Sequence, residues 1–173
     1  MLAAMKKVAQ LLAELKAGGI IEDYAMFGAV AQMRYTEAVV TLDADVLVAS
    51  PPTESLDVLR DIYAFCAARG WQTEGEAIRV GAWPVQFVPA FSPLTREAME
   101  TAETADFEGV PLRVVRADYL AVIVLSVDRA KGFARILALL ESNSVTRDGI
   151  ARLAAQYGLA HAWQRFLARF FDA

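Results

Sequence analysis

Segments with the apolar pattern of strands alternate with helix-like segments up to about residue 115, and from Arg116 onward the pattern is almost wholly helical. Two strand-like runs joined around Gly81 predict an antiparallel hairpin, which makes the sheet mixed. The sequence therefore predicts an α+β fold, with a mixed β-sheet flanked by helices over residues 1–115 and a helical bundle over residues 116–173, together one structural unit. The predicted elements are helices at 2–17, 29–35, 53–69 and 93–104, strands at 20–28 and 38–48, and hairpins within 71–91 and 107–115.

The composition is that of a globular protein without a membrane span. Hydrophobic residues make up 56% of the chain and charged residues 22%, which is too apolar for a disordered protein. The longest apolar run, Tyr119 to Val127, falls far short of the roughly 20 residues that a span needs. Near the N-terminus Gln10, Glu14 and Lys16 interrupt the apolar residues, as in an amphipathic helix rather than a signal peptide. We therefore expect a cytoplasmic protein with no membrane contact.

Several functional classes are disfavoured by charge and residue type. The net charge of −4 argues against a broad basic surface for nucleic acid. The single cysteine, Cys66, cannot form an internal disulfide, and its setting predicts a buried helix position. No Ser-His-Asp arrangement and no Cys/His cluster stands out, so hydrolase and zinc chemistry have no support.

The last helix carries an apolar seam. Its large side chains recur at three- and four-residue spacing, which is typical of a helix face packed into a core. We therefore predict that this seam is core rather than a binding surface. Its members are Leu159, Trp163, Phe166, Leu167 and Phe170.

Two aspartates stand two residues apart in the strand-like segment "TLDADVLV" at 41–48. Residues i and i+2 of a strand share a face, so Asp43 and Asp45 should point the same way, with Thr41 and Leu47. The alternate set, which includes Leu42, is then predicted to be core with Ala44, Val46 and Val48. Two carboxylates on one face repel unless a cation neutralises them, and Mg²⁺ takes one or two carboxylates plus substrate phosphates. The alternative is a half-exposed strand whose aspartates face water or arginines.

A glycine turn precedes that strand. In "YAMFGAVAQMRY" a strand runs into Gly28 and then into a short helix, whose free backbone N–H groups could receive a phosphate. One glycine turn alone has little specificity.

The segment "DYAMFGAVAQMRYTEAVVTLDADVLV" resembles the DNA polymerase β-like nucleotidyltransferase superfamily, in which a Gly-Gly or Gly-Ser turn precedes an Asp-x-Asp strand. It is most similar to small bacterial members related to abortive-infection and toxin–antitoxin nucleotidyltransferases. A weaker likeness continues through "GVPLRVVRADYLAVIVLSVDRAKGFARILALLES", so the resemblance covers about residues 20–142. The residues that match the motif in order are Gly28, Arg34, Thr41, Asp43 and Asp45.

The resemblance implies a nucleotide site. Gly28 and Ala29 would lie against the phosphates of a nucleoside triphosphate, and Asp43 and Asp45 would hold Mg²⁺ and act in catalysis. The implied reaction transfers a nucleotidyl group to a hydroxyl of RNA, protein or a small molecule and releases pyrophosphate. Lys131 and Arg135, four residues apart on one helix, would steady the triphosphate, or else form a solvated helix surface.

The sequence departs from the family pattern at three positions. Gln86 falls where active members carry a third acidic residue, and a neutral amide is neither a base nor an anionic ligand. Ala29 replaces the second small glycine or serine, and Gly132 stands where an acidic residue is expected after Lys131. Other side chains could take the place of the missing acidic residue, and each could instead be surface charge or have a structural role. They are Glu37, Glu74, Glu76, Glu97 and His161. Glu76 is the best placed, because it lies on the partner hairpin.

Three functions therefore stay open. The first is an active Mg²⁺-dependent nucleotidyltransferase. The second is a catalytically impaired relative that binds nucleotide or a protein partner, or forms a homo-oligomer, with Gln86 as its main support. The third is a small interaction domain in which the glycine turn and the two aspartates are coincidental.

Overall fold

A computed structural model describes residues 2–37, 41–51, 57–107, 109–127 and 129–171. The chain divides into two compact units. The first, which we call the sheet unit, comprises Met1–Ala31 and Val40–Val115; the second, the helical unit, comprises Gln32–Val39 and Arg116–Ala173. Within the described ranges no helix is long and apolar enough to cross a membrane.

The described part of the chain has seven strands and eight helices. The strands are β1 (Asp23–Phe27), β2 (Ala44–Ala49), β3 (Gln72–Glu74), β4 (Ala77–Val80), β5 (Trp83–Pro89), β6 (Glu103–Phe107) and β7 (Val110–Val114). The helices are α1 (Leu2–Ala17), α2 (Gly28–Gln32), α3 (Val58–Ala68), α4 (Pro93–Glu100), α5 (Ala117–Val127), α6 (Ala130–Glu141), α7 (Arg147–Gln156) and α8 (Ala160–Phe170).

All seven strands form one mixed sheet in the order β3-β4-β5-β2-β1-β7-β6. The β2–β5 and β1–β7 pairs are parallel, and the remaining pairs are antiparallel. The hairpin predicted within 71–91 is present as β4–β5 around Gly81. The second hairpin, β6–β7 around Gly109, starts at Glu103 rather than at residue 107. Each of the two glycines has a positive φ, as tight turns require. The predicted α+β fold with a mixed sheet flanked by helices is confirmed.

The helices of the sheet unit cover the sheet through apolar stripes. In α1 the buried residues recur at three- and four-residue spacing, and α1 contacts β4, β5 and β7. Helix α3 contacts β3 and β5, and α4 contacts β1 and β2. Cys66 is buried in α3, as predicted, and burial raises the pKa of its thiol to about 11, with Arg69 opposing that rise. The buried stripe of α1 comprises Met5, Val8, Leu11, Leu12 and Leu15.

The start of β2 differs from the sequence prediction. The strand begins at Ala44, and residues 38–40 of the predicted strand lie outside the described residues. Leu42, predicted to be core, is 84% exposed because the alternation of the strand does not extend back to it. Leu47, predicted to share the face of the aspartates, is fully buried, since β2 is central in the sheet and covered on both faces along its middle.

Other element boundaries also differ. Helix α3 is capped by Asp57, whose carboxylate accepts from the Arg60 backbone N–H, and residues 53–56 of the predicted helix lie outside the described residues. Helix α4 ends at Glu100 rather than at residue 104, because the following residues pair with β7 as the edge strand β6. The predicted helix 29–35 ends at Gln32. The short strand β3 was not predicted, since its three exposed residues have no apolar pattern.

The helical unit is organised around α5, which is buried along most of its length and packs against α6, α7 and α8. This explains why its sequence is apolar on every face. The predicted aromatic seam is confirmed as core at Trp163 and Phe166, which are 2% and 1% exposed. Phe166 has ring contacts with Trp163 (5.3 Å between centroids), Phe133 (5.6 Å) and Phe170 (4.9 Å).

An ionic network joins the first residue of β1 to β7 and α4. The Asp23 carboxylate accepts hydrogen bonds from Arg113 and from Lys16, the latter at 3.0 Å. Arg113 also donates to the backbone carbonyls of Met99 (2.9 Å) and Ala102 (3.3 Å). Burial alone would raise the pKa of Asp23, but the hydrogen bonds from Arg113 and Lys16 outweigh it, and the pKa is lowered.

This lowered pKa predicts a loss of stability in acid. A carboxyl group with a folded-state pKa below its unfolded value stabilises the protein above the unfolded pKa, and the contribution disappears as pH falls through the folded pKa. We expect urea unfolding of the wild type to lose more stability below about pH 4 than the Asp23→Asn variant loses. The control is Glu100→Gln. Glu100 is exposed and forms no ion pair with a described residue, so the stability of this variant should fall with pH as that of the wild type does. Parallel pH profiles for wild type and Asp23→Asn would contradict the assignment.

Candidate functional site

The Asp45 carboxylate packs directly against the backbone of Gly28. Gly28 follows β1 with a φ of +67°, and Phe27 before it is the register partner of Asp45 in the antiparallel β1–β2 pair. A Cβ built on Gly28 would lie 2.1 Å from Oδ2 of Asp45. Only glycine combines this backbone conformation with room for the carboxylate. The glycine turn and the second aspartate, 17 positions apart in the sequence, are thus neighbours in the sheet unit.

Asp43 lies immediately before β2 and is exposed. Thr41, which also belongs to the predicted motif, donates from its hydroxyl to the backbone carbonyl of Asp43 at 2.9 Å and to its carboxylate at 3.3 Å. Thr41 therefore orients the loop that carries Asp43 into the strand. Asp45, one step inside the strand, is half-buried.

Gln86 lies opposite Asp45. The two residues are register partners in the parallel β2–β5 pair, so their side chains project from the same face of the sheet. On the other side, Gln86 pairs with Ala77 of β4, and its Nε2 donates to Oε2 of Glu76 at 3.4 Å. A carboxylate only accepts hydrogen bonds, so the amide nitrogen of Gln86 must face Glu76. Glu76 is thus joined to this position through a neutral amide.

The donor groups fit a magnesium ion only together with a phosphate-bearing substrate. Among the described residues, no group of three or more His, Cys, Asp or Glu side chains is placed to hold a metal ion. Mg²⁺ commonly takes one or two carboxylates and completes its shell with water and substrate phosphates. Asp43 and Asp45 match that donor set, whereas a metal cage made by the described protein groups alone does not exist here.

The two predicted basic residues belong to the helical unit. Lys131 lies in the first turn of α6, and its side chain is outside the described part of the structure. Arg135 is half-buried, and its Nε donates to Oε1 of Gln32 at 3.1 Å, so it is not simply a solvated surface residue. Their predicted role toward a triphosphate stays a prediction, as does that of Ala29, which is half-buried in α2.

The close packing of α6 against α5 explains why a glycine stands at position 132. A Cβ at this position would lie 2.8 Å from Cγ1 of Val124, so α6 approaches α5 more closely than any side chain allows. The acidic residue expected there from the family pattern would require the Val124 side chain or one of the two helices to move. The departure thus reflects how the helical unit packs.

The remaining candidate groups from the sequence are three glutamates and one histidine. Glu74 forms an ion pair with Arg79, with 2.7 Å between Oε2 and Nε. Glu97 lies in α4, where its backbone carbonyl accepts from Thr101 at 2.7 Å. Glu37 and His161 are exposed residues of the helical unit.

Two solved structures share this architecture over almost the whole chain. The solution structure of the antibiotic-resistance factor ANT(2'')-Ia aligns with 95% of this chain and 97% of its own, with a TM-score of 0.53 and 12% sequence identity. The fold is that of the nucleotidyltransferases. The crystal structure of an antigenic nucleotidyltransferase-like protein from Paracoccidioides brasiliensis aligns with 94% of this chain and 93% of its own, with a TM-score of 0.53 and 14% identity. No protein-family model and no curated protein matched the sequence.

One polar residue of the helical unit was not singled out from the sequence. Gln32 is 6% exposed, the only buried polar side chain among the described residues. It lies in the five-residue helix α2, and no motif marks it. A glutamine in so short a segment carries no periodic signal that separates a buried position from an exposed one.

Proposed function

We propose that this protein transfers a nucleotidyl group from a nucleoside triphosphate to a hydroxyl acceptor in a Mg²⁺-dependent reaction. The observation that carries the proposal is the contact between Gly28 and the Asp45 carboxylate within a nucleotidyltransferase fold. A glycine in the left-handed region lets the Asp45 carboxylate pack directly against the backbone, so the carboxylate is held beside the turn that leads into α2.

Each group has a defined part in this proposal. Asp43 and Asp45 hold Mg²⁺, with Thr41 orienting the loop before Asp43. When bound, the ion neutralises negative charge on the triphosphate. The acceptor oxygen bonds to the α-phosphorus, the bond from that phosphorus to the bridging oxygen breaks, and pyrophosphate leaves. The acceptor's proton must pass to another group, and Gln86 cannot accept it.

The finer parts of the assignment follow from the sequence resemblance. Gly28 and Ala29 would contact the phosphates, and Lys131 and Arg135 would steady the triphosphate. The most similar sequence pattern is that of small bacterial toxin–antitoxin and abortive-infection nucleotidyltransferases. The acceptor would be a hydroxyl of RNA, of a protein or of a small molecule.

Nucleotide binding tests the proposed site. We expect one or more of ATP, CTP, GTP and UTP with Mg²⁺ to bind in a calorimetric titration, and Asp43→Asn and Asp45→Asn each to weaken binding at least about tenfold, which is about 1.4 kcal/mol. Each change removes a negative charge from the cation site while it preserves side-chain shape. Asp148→Asn, at an exposed aspartate in the first turn of α7, is the matched control and should bind as the wild type does. Equal binding by all four proteins would place the nucleotide elsewhere, and no binding would favour an interaction domain without nucleotide.

A second candidate function is a nucleotide-binding or protein-binding relative that has lost transfer activity. The register partnership of Asp45 with neutral Gln86 favours it, together with the absence of a third metal-binding carboxylate among the described residues. In this case nucleotide binding would persist without transfer, and the nucleotide site would serve a protein partner or a homo-oligomer.

Restoring an acidic group at position 86 separates the two functions. We expect Gln86→Asp to raise transfer of label from NTP, onto total RNA or the protein itself, by at least about tenfold, because a carboxylate beside Asp45 can take up a proton or bind the cation. Gln86→Asn, which is equally short but neutral, is the control for the change in length. If Gln86→Asp and Gln86→Asn behave alike, position 86 does not limit the reaction.

A further inference from the structure

Glu76 lies in a tight turn near one edge of the sheet. It is the second residue of the two-residue turn between β3 and β4, which the pair Glu74–Ala77 closes. Gly75, the first residue of that turn, has a φ of +62°, a conformation typical of two-residue hairpin turns. The turn therefore fixes the backbone from which the Glu76 side chain projects.

Two hydrogen bonds hold Glu76. The Tyr63 hydroxyl of α3 donates to its backbone carbonyl at 3.0 Å, and Nε2 of Gln86 donates to its carboxylate oxygen Oε2 at 3.4 Å. Glu76 forms no ion pair with a described residue, and no described residue donates to its other oxygen, Oε1. The carboxylate is thus held by a neutral donor and keeps one oxygen that can accept a proton.

Gln86 connects this carboxylate to the candidate site. Asp45, Gln86 and Ala77 are register partners on the adjacent strands β2, β5 and β4, so their side chains leave the same face, about 4.8 Å apart from strand to strand. Because the Gln86 amide bonds to Glu76, the Glu76 carboxylate reaches the face that carries Asp45. Among the described residues no three acidic groups are placed to hold a metal ion together. Glu76 therefore lies beside the proposed cation site without belonging to it, and its exposure lets an acceptor reach it from solvent.

We propose that Glu76 is the general base of the proposed transfer, in place of the acidic residue that position 86 lacks. This inference rests on the proposed function, which leaves the acceptor's proton without a destination because a glutamine amide cannot take it. The acceptor hydroxyl gives its proton to the Glu76 carboxylate as its oxygen bonds to the α-phosphorus. The bond from that phosphorus to the bridging oxygen breaks, pyrophosphate leaves, and Glu76 then passes the proton to water. Gln86 is a positioning residue, because its amide directs the carboxylate toward this face.

One substitution separates transfer from binding. Glu76→Gln removes the base but has nearly the same shape, and its amide oxygen can still accept from Gln86. In the full chain, with Mg²⁺ and the NTP that the wild type binds, we expect pyrophosphate release and label transfer, onto total RNA or the protein itself, to fall by about 10²-fold or more. The calorimetric Kd for that NTP should stay within about twofold, because the lost interaction is made only during the reaction.

Glu74→Gln is the matched control. Glu74 lies in the same hairpin, and its carboxylate is paired with Arg79, with 2.7 Å between Oε2 and Nε. Such an exposed pair contributes little to stability, so Glu74→Gln should transfer and bind as the wild type does. In ¹H–¹⁵N spectra recorded without nucleotide, the side-chain NH₂ signals of Gln86 should shift in Glu76→Gln and stay in place in Glu74→Gln, because only the first change removes the charge beside that amide.

A double variant distinguishes a base from a structural residue. In Gln86→Asp the carboxylate beside Asp45 can take the proton itself, so adding Glu76→Gln should change transfer by less than about twofold. A residue needed only for folding or for the shape of the turn would cost the same factor in both backgrounds.

The outcomes separate this inference from the proposed function. Lost transfer in Glu76→Gln with unaltered NTP binding, and no further loss in the Gln86→Asp background, would establish the base. Transfer by Glu76→Gln at the wild-type rate, an equal loss in Glu74→Gln, or the same loss in both backgrounds would overturn it and leave the proposed function standing. A wild type that releases no pyrophosphate would overturn the transfer itself and the base with it.

Discussion

Replacing Gly28 by alanine is expected to destabilise the protein by about 2–5 kcal/mol. The left-handed backbone at φ +67° costs a residue with a Cβ about 1–2 kcal/mol, and forcing a methyl group into an occupied space costs about 1–3 kcal/mol more. The occupied space is the position of the Asp45 carboxylate, 2.1 Å from the added Cβ. Urea or thermal unfolding of the variant measures the loss.

Two further variants separate the backbone cost from the steric cost. Gly70 has a φ of +76° with nothing within 4 Å of a built Cβ, so Gly70→Ala should show the backbone cost alone. In a double-mutant cycle, Asp45→Ala removes the clash and should recover the steric part of the Gly28→Ala loss. If Gly28→Ala costs no more than Gly70→Ala and does not couple to Asp45, the carboxylate does not pack on this glycine.

The same substitution tests the proposed site. Because the Asp45 side chain must move to admit the methyl group, Gly28→Ala should also weaken Mg²⁺-nucleotide binding, measured at a temperature where the variant is still folded. Gly70→Ala should bind nucleotide as the wild type does. Unaltered binding in Gly28→Ala would separate the structural role of the glycine from any role in nucleotide recognition.

The second large effect is expected in the helical unit, where Phe166→Ala should cost about 3–5 kcal/mol. Phe166 is 1% exposed and lies at the centre of an aromatic cluster with Phe133, Trp163 and Phe170. Truncation removes its apolar burial and its ring contacts and leaves a cavity that the neighbouring rings cannot fill. Urea unfolding monitored by tryptophan fluorescence, to which Trp163 contributes, reports the change.

The matched control is an exposed phenylalanine. Phe91 is 71% exposed, so Phe91→Ala should change stability by less than about 0.5 kcal/mol. Phe166→Leu retains much of the apolar volume and should fall between the two. A Phe166→Ala loss below about 1 kcal/mol would mean that α8 contributes little to the stability of the unit.

Much of the fold could be predicted because its signals are local. The apolar stripe of α1, the glycine turns at Gly81 and Gly109 and the aromatic seam of α8 each act within a few residues, and the structure contains all of them. Boundaries were less predictable. Leu42 is exposed and Asp57 caps α3 because strand pairing and helix packing decide where an element starts.

The candidate site could be predicted only as a set of residues. The sequence showed a glycine turn and two aspartates with the spacing of a strand face, but it could not show that Asp45 touches Gly28. Nor could it show that Gln86 donates to Glu76 or that Gln32 is buried against Arg135. Each of these contacts depends on pairing between segments that are distant in the chain.

The sequence by itself determined most of the elements and their order, since helical and strand periodicity and glycine and proline turns depend on neighbouring residues. Only the tertiary structure decided which side chains meet. Three features result from burying many apolar surfaces at once. They are the register that places Asp45 beside Gln86, the contact of the Asp45 carboxylate with Gly28 and the closeness of α6 to α5 at Gly132. No local stretch of this chain carries that information, because each partner's position depends on how the rest of its unit packs.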